Sequence, residues 1–158
     1  MTSSRLGYSA SLVSLVWFIS FPLQIAATRR ANDPLGWLDG VGIAVFWVGF
    51  GFESIGDWQM ARFKTEPSNA GKVMDRGLWR YTRHPNYFGD FCVWWGMYLI
   101  AAAGGAWWTV LSPIVMSVLL LRVSGVTLLE KSIGARIGGY EEYKARTSAF
   151  FPSRPTKG

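Results

Sequence analysis

The stretch from Asp75 to Gly96 reads DRGLWRYTRHPNYFGDFCVWWG. Arg76, Arg80, Arg83 and His84 crowd beside Asn86, Tyr87 and Asp90, and the chain then turns directly into an apolar run. Pro85 forces an extended backbone on His84, so the polar loop ends there and a helix starts by Tyr87. A basic, aromatic loop at the mouth of an apolar helix predicts an anion site at the surface of a membrane.

Working outward, the composition agrees. Half of the 158 residues are hydrophobic, with nine Trp, ten Phe and six Tyr, more than a single small soluble core readily hides. Of the 16 Lys and Arg, six fall in 62–83 and six in 131–157, so the basic excess is concentrated in two segments. That pattern reads as the positive-inside bias of a membrane protein and not as a nucleic-acid surface. With one cysteine (Cys92) and one histidine (His84), the chain forms neither an intrachain disulfide nor a Cys/His zinc cluster, and no metal site is predicted.

The expected fold is a single all-α domain over 1–158, a polytopic membrane bundle of about four transmembrane helices with a cytoplasmic loop and tail. Its spans are predicted at 8–27, 37–60, 87–104 and 107–129. The first resembles a signal peptide in its apolar core but is read as a retained helix, kinked at Pro22. Asn32-Asp33-Pro34-Leu35-Gly36 is a turn by its residue chemistry, and Gly104-Gly105 another. The segment 62–87 is too charged to span. The tail 130–158 is polar with its own aromatics. Loop and tail belong in the cytoplasm with both termini, which leaves Arg29 and Arg30 as a mild violation.

Several side chains suit a binding site. Glu53 and Asp57, one turn apart, either border a cavity or pair with Arg62 or Lys64 to finish their helix. Arg122 and Glu130 share a face near the cytoplasmic end of the fourth helix and could border the same cavity. Lys64, Lys72, Arg76, Arg80 and Arg83 supply cations for phosphates, Asn86 an amide, and Trp79, Tyr81 and Tyr87 flat faces for a ring. The null alternative is a solvated basic loop under an anionic leaflet. Gly49-Phe50-Gly51 lies inside a hydrophobic helix, so it reads as close helix packing and not as a dinucleotide fingerprint. Cys92, in apolar company, is no nucleophile.

Gly77-Leu78-Trp79-Arg80-Tyr81-Thr82-Arg83-His84-Pro85-Asn86-Tyr87-Phe88-Gly89-Asp90 resembles the G-L-W-x-x-x-R-H-P-N-Y-x-G-[DE] motif of the steroid 5α-reductase and sterol reductase superfamily, most closely its bacterial branch of uncharacterised membrane proteins. Tyr140-x-x-Tyr143 and the closing Phe150-Phe151-Pro152 fit the same branch. A looser form of the motif occurs in isoprenylcysteine methyltransferases. The resemblance implies a bacterial inner-membrane, NADPH-dependent reductase of a lipid-like, steroid-type enone. By position it implies cofactor contacts from Asp57, Lys64, Lys72, Asn86 and Asp90, with Arg83, His84, Tyr87 and Tyr143 also in the motif set. Glu53 and Arg136 stand where that family places an Asn and a cofactor-binding Tyr. The family's substrate-positioning residues come from N-terminal helices, so this chain is expected to carry mainly the cofactor half. More N-terminal helices or a second chain would complete it. The alternatives are an S-adenosylmethionine-dependent methyltransferase and a non-catalytic, truncated membrane scaffold.

Overall fold

Three glycines spaced seven residues apart set the geometry of the molecule. The computed structural model describes residues 14–28, 34–123 and 137–156, and every regular element among them is helical, with no strand. Gly42, Gly49 and Gly56 are buried along one face of a 29-residue helix, α2 (Trp37–Thr65). Gly89 and Gly96 are buried along one face of α3 (Pro85–Ala103). A Cβ on Gly49 would stand 2.5 Å from the Gly89 carbonyl oxygen, and one on Gly96 would stand 2.6 Å from the Phe46 amide nitrogen. The two helices therefore meet backbone to backbone and antiparallel, with Gly42 opposite Gly96, Gly49 opposite Gly89, and Gly56 against Pro85.

Local chemistry explains where the helices begin and end. The Gly36 amide donates to the Asp39 carboxylate at 2.8 Å, which starts α2. The sequence predicts an end near Met60, but α2 runs five residues further. Nothing in Ala61-Arg62-Phe63-Lys64-Thr65 breaks a helix, and Arg62 and Lys64 suit the negative end of its dipole. Pro67 supplies the stop, holding Glu66 extended at φ −87°, ψ 113°. Pro85 takes the first position of α3, two residues before the predicted start, where its missing amide costs nothing.

The other elements pack around α3. Of the predicted first helix, 8–13 lies outside the described residues, and the rest is a helical segment at 14–19, a break at Ser20 and α1 (Phe21–Thr28), with Pro22 buried just after the break. The predicted fourth helix is likewise subdivided. A 3-10 turn (Trp107–Val110) leads into α4 (Leu111–Val118), and a π turn (Leu119–Val123) follows. Pro113 has no amide to offer the Thr109 carbonyl, so the chain winds tighter before it. The rest of that prediction, 124–129, lies outside the described residues. Ser112 donates its hydroxyl to the Ile19 carbonyl and ties α4 to the first segment.

The tail carries more structure than its polarity suggests. It forms a short helix, α5 (Tyr140–Arg146), launched from Gly139 at φ 78°, and then an extended run that docks on the loop before α3.

Among the described residues one helix, α2, is long and apolar enough to cross a membrane. Much of its surface is bare: Trp37, Val41, Ile43, Trp47, Val48, Phe50, Ile55 and Trp58 are exposed, as are Trp107, Trp108, Leu111 and Ile114.

Candidate functional site

At the end of the bundle where α2 stops and α3 starts lies a cavity of about 650 Å³. That volume falls in the ordinary range for small-molecule sites, roughly 300–1,000 Å³. Three pieces of chain enclose it: the last turns of α2, the loop 66–87, and the tail from Ile137 through α5.

The loop is fastened first to α2. Gln59 Oε1 accepts the Leu78 amide at 3.0 Å, and the Trp79 indole donates to the Gly56 carbonyl at 3.0 Å. The tail is then fastened to the loop. Arg83 donates Nη1 to the Lys144 and Thr147 carbonyls at 2.8 and 2.7 Å, and its own amide to the Ser148 carbonyl at 2.9 Å. Those carbonyls end α5, where a cation is doubly favoured: it satisfies orphan acceptors and meets the negative pole of the dipole. Thr82 donates its hydroxyl to the Phe150 carbonyl at 2.8 Å, and the Ser153 amide donates to the Tyr81 carbonyl at 3.0 Å. The Tyr143 hydroxyl reaches the Trp79 carbonyl. Burial pushes the Tyr143 phenol far above its ordinary pKa, with Tyr140 beside it adding to the rise. It therefore stays a neutral donor at every working pH.

Nine of the predicted site residues share this wall: Asp57, Lys64, Lys72, Trp79, Arg83, His84, Asn86, Tyr87 and Tyr143. They come from positions as far apart as 57 and 143, so the fold gathers them and the sequence does not. His84 is buried and stacks on Tyr87, with ring centroids 5.4 Å apart and planes 8° from parallel. The side chains of Asp57, Lys64 and Lys72, the Asn86 carboxamide and the Tyr87 hydroxyl make no hydrogen bond or ion pair among the described residues. Asp57 does not close onto Lys64 or Arg62; Arg62 instead lies over the Trp58 ring at 5.7 Å.

Glu53 and Asp90 stand one turn beyond Asp57 and Asn86 along α2 and α3, at the seam of the two helices and outside the cavity wall. Glu53 is within electrostatic reach of both Asp57 and Asp90. Arg122 is exposed on the π turn and takes no part in the wall. Glu130 and Arg136 lie outside the described residues. The described residues contain no group of His, Cys, Asp and Glu that could hold a metal ion.

The wall also includes Met60, Phe63, Glu66, Met74 and Tyr140. Met60 and Lys64 follow Asp57 at i+3 and i+7, one helical stripe, which becomes visible once α2 is carried past Met60. Tyr140 sits three residues before Tyr143 on the same face of α5 and is signalled in the same way.

Taken together, the fold and the site define an all-α protein with one membrane-length helix and a polar-ended, aromatic-walled cavity. Residues 9–147 match the family described as "Protein of unknown function (DUF1295)", and the chain belongs to it. No curated protein and no solved structure matches the chain.

Proposed function

We propose that the protein is an integral membrane, NADPH-dependent reductase acting on a lipid-like, steroid-type enone, and that this chain supplies mainly the cofactor-binding half. One observation carries the reading: two lysines whose side chains have no partner among the described residues, Lys64 and Lys72, converge with Asn86 and a stacked His84–Tyr87 pair on one cavity.

The residues present fit such a cofactor. Lys64 and Lys72 meet phosphate charge, which the protein itself leaves uncompensated. Asn86 offers donor and acceptor to an amide or ribose edge, and Asp57 and Glu66 accept from ribose hydroxyls. Tyr87 and Trp79 give flat apolar walls for a ring. Arg83 acts differently, holding α5 in place so that Tyr140 and Tyr143 close the far wall. When bound, NADPH supplies the hydride that adds to the β-carbon of the enone.

The membrane part of the proposal rests on the exposed aromatics. From Trp37 to Trp58 a helix rises about 32 Å, close to the roughly 30 Å hydrocarbon thickness of a bilayer. Because α2 and α3 are antiparallel, Trp107 and Trp108 fall at the Trp37 end, and the cavity with its basic loop falls at the Trp58 end. That arrangement supports an aromatic belt at each interface, and the basic loop favours the cytoplasmic side for the cavity. In this reading the predicted helices at 8–27, 37–60, 87–104 and 107–129 all cross, and both termini face the cytoplasm of a bacterial inner membrane.

The carboxylates of Asp57 and Glu66 in the same wall favour a second reading, an S-adenosylmethionine-dependent methyltransferase, because a sulfonium cation would be welcome there. Thermal melting of the purified protein with NADPH, NADH and S-adenosylmethionine decides between them. A ligand at 100 times its Kd stabilises by about 2.7 kcal/mol. We expect NADPH to raise the melting temperature most. A rise with S-adenosylmethionine alone would replace the reductase with the methyltransferase, and no rise with any ligand would sink both.

A further inference from the structure

The extended run after α5 does more than end the chain. Phe150 is buried and inserts between Phe88 and Phe91, with centroids 6.1 and 5.6 Å away. The next residue, Phe151, is 60% exposed although it touches the same two rings. Beside it, the Ser153–Tyr81 backbone hydrogen bond joins the tail to the loop. Tyr81 is 43% exposed.

An arginine adjoins each partner of that bond: Arg80 precedes Tyr81 and Arg154 follows Ser153. Both are exposed. Neither makes an ion pair or a hydrogen bond among the described residues. Two exposed arginines thus stand next in the chain to the bonded pair, near two exposed aromatic residues, Tyr81 and Phe151, and the Phe151 ring lies against the Phe88–Phe91 row of α3.

We propose that Arg80 and Arg154, with Tyr81 and Phe151, form a binding site for the headgroup of an anionic phospholipid. The inference rests on the membrane part of the reading above but not on the cofactor. The chemistry selects this occupant. A guanidinium fork matches phosphate oxygens bidentately. Aromatic rings favour the depth at which headgroup meets acyl chain. A free anion would use the arginines but gain nothing from Phe151. The lipid gains from both, because its chains can lie along Phe88 and Phe91 while its phosphate meets the cations. An anionic headgroup also offsets the charge of the two cations, which a zwitterionic headgroup does only in part.

The test is a lipid titration of the full chain in detergent, read by native mass spectrometry, with phosphatidylglycerol, phosphatidylcholine and inorganic phosphate as the three probes. It contains no nucleotide, so its failure leaves the cofactor reading standing, and the reverse holds too. We expect phosphatidylglycerol to bind at least fivefold more tightly than phosphatidylcholine, and inorganic phosphate not to displace it at millimolar concentration. The Arg80→Ala/Arg154→Ala variant should lose that preference, while Arg62→Ala/Arg76→Ala, an equal change of charge elsewhere on the same surface, should keep it within twofold. Arg80→Gln/Arg154→Gln serves the same purpose if the alanine variant is poorly folded. Equal binding of the two lipids, equal losses in the two double variants, or displacement by inorganic phosphate would each overturn the proposal.

Discussion

The two ends of the α2–α3 pair are built on different principles. Along the middle, Gly42, Gly49, Gly89 and Gly96 bring two backbones so close that no side chain fits between them. At the polar end, Gly56 is the last of the series and the helices hand over to a loop and a tail. There the cohesion comes from directed hydrogen bonds: Gln59 to Leu78, Trp79 to Gly56, and Arg83 to three carbonyls. The first region has no room to adjust. The second encloses a cavity and leaves polar groups unused. The lesson is that this chain places rigidity where helices cross and holds its chemistry in a frame of replaceable bonds.

Breaking the rigid side should have the largest effect. Gly49→Val puts side-chain atoms where the Gly89 carbonyl already sits, and overpacking of that kind costs about 1–3 kcal/mol or more. We expect little monodisperse protein by size exclusion. Gly51→Ala on the same helix, where a Cβ meets nothing, should be neutral. Equal behaviour of the two would refute the close crossing.

Arg83→Ala should come next. Losing two charge-assisted bonds to the end of α5 should cost about 1.5–3 kcal/mol and free the tail. Limited trypsin digestion should then cut within 144–154 while the α2–α3 pair stays intact. If the cleavage pattern is unchanged, Arg83 is not what holds the tail.

Lys64→Ala and Lys72→Ala sharpen the contrast from the other direction. With no partner to lose, each should alter stability by under about 0.5 kcal/mol. Each should nonetheless weaken NADPH about tenfold, the equivalent of 1.4 kcal/mol. If either touches the 2′-phosphate, NADH binding will change much less. Equal losses for the two nucleotides in a binding titration would remove that assignment.

The smallest effect belongs to the exposed Arg146–Asp75 pair, 2.6 Å apart between the tail and the loop before α3. Exposed pairs contribute about 0.2–1 kcal/mol, so Asp75→Asn should shift melting only slightly, and the shift should vanish in 0.5 M salt. A loss as large as that of Arg83→Ala would mean that the frame depends on its rim.

Local features of the sequence translated well into structure. The apolar runs, the role of Pro85 and the close packing at Gly49 could all be read from neighbouring residues. So could the gathering of polar groups just before α3. What stayed hidden depends on contacts across great sequence separation. Arg83 looks like a ligand-binding cation because its acceptors lie 61 and 64 residues away. The tail reads as polar because the helix in it is short and its buried residues, Tyr140, Tyr143 and Phe150, are few. The subdivision of the fourth helix was missed for a local reason, the unmet carbonyl that Pro113 leaves behind.

The clamp between Arg83 and the end of α5 also has a consequence in time. A ribosome adding about 5–20 residues per second needs roughly 3–12 s to travel the 61 residues from Arg83 to Lys144. During that interval α2 and α3 can already pair, but the far wall of the cavity does not yet exist. The nascent protein would thus become a committed helical hairpin well before it becomes a receptor, and ligand capture would be one of the last events of its biogenesis.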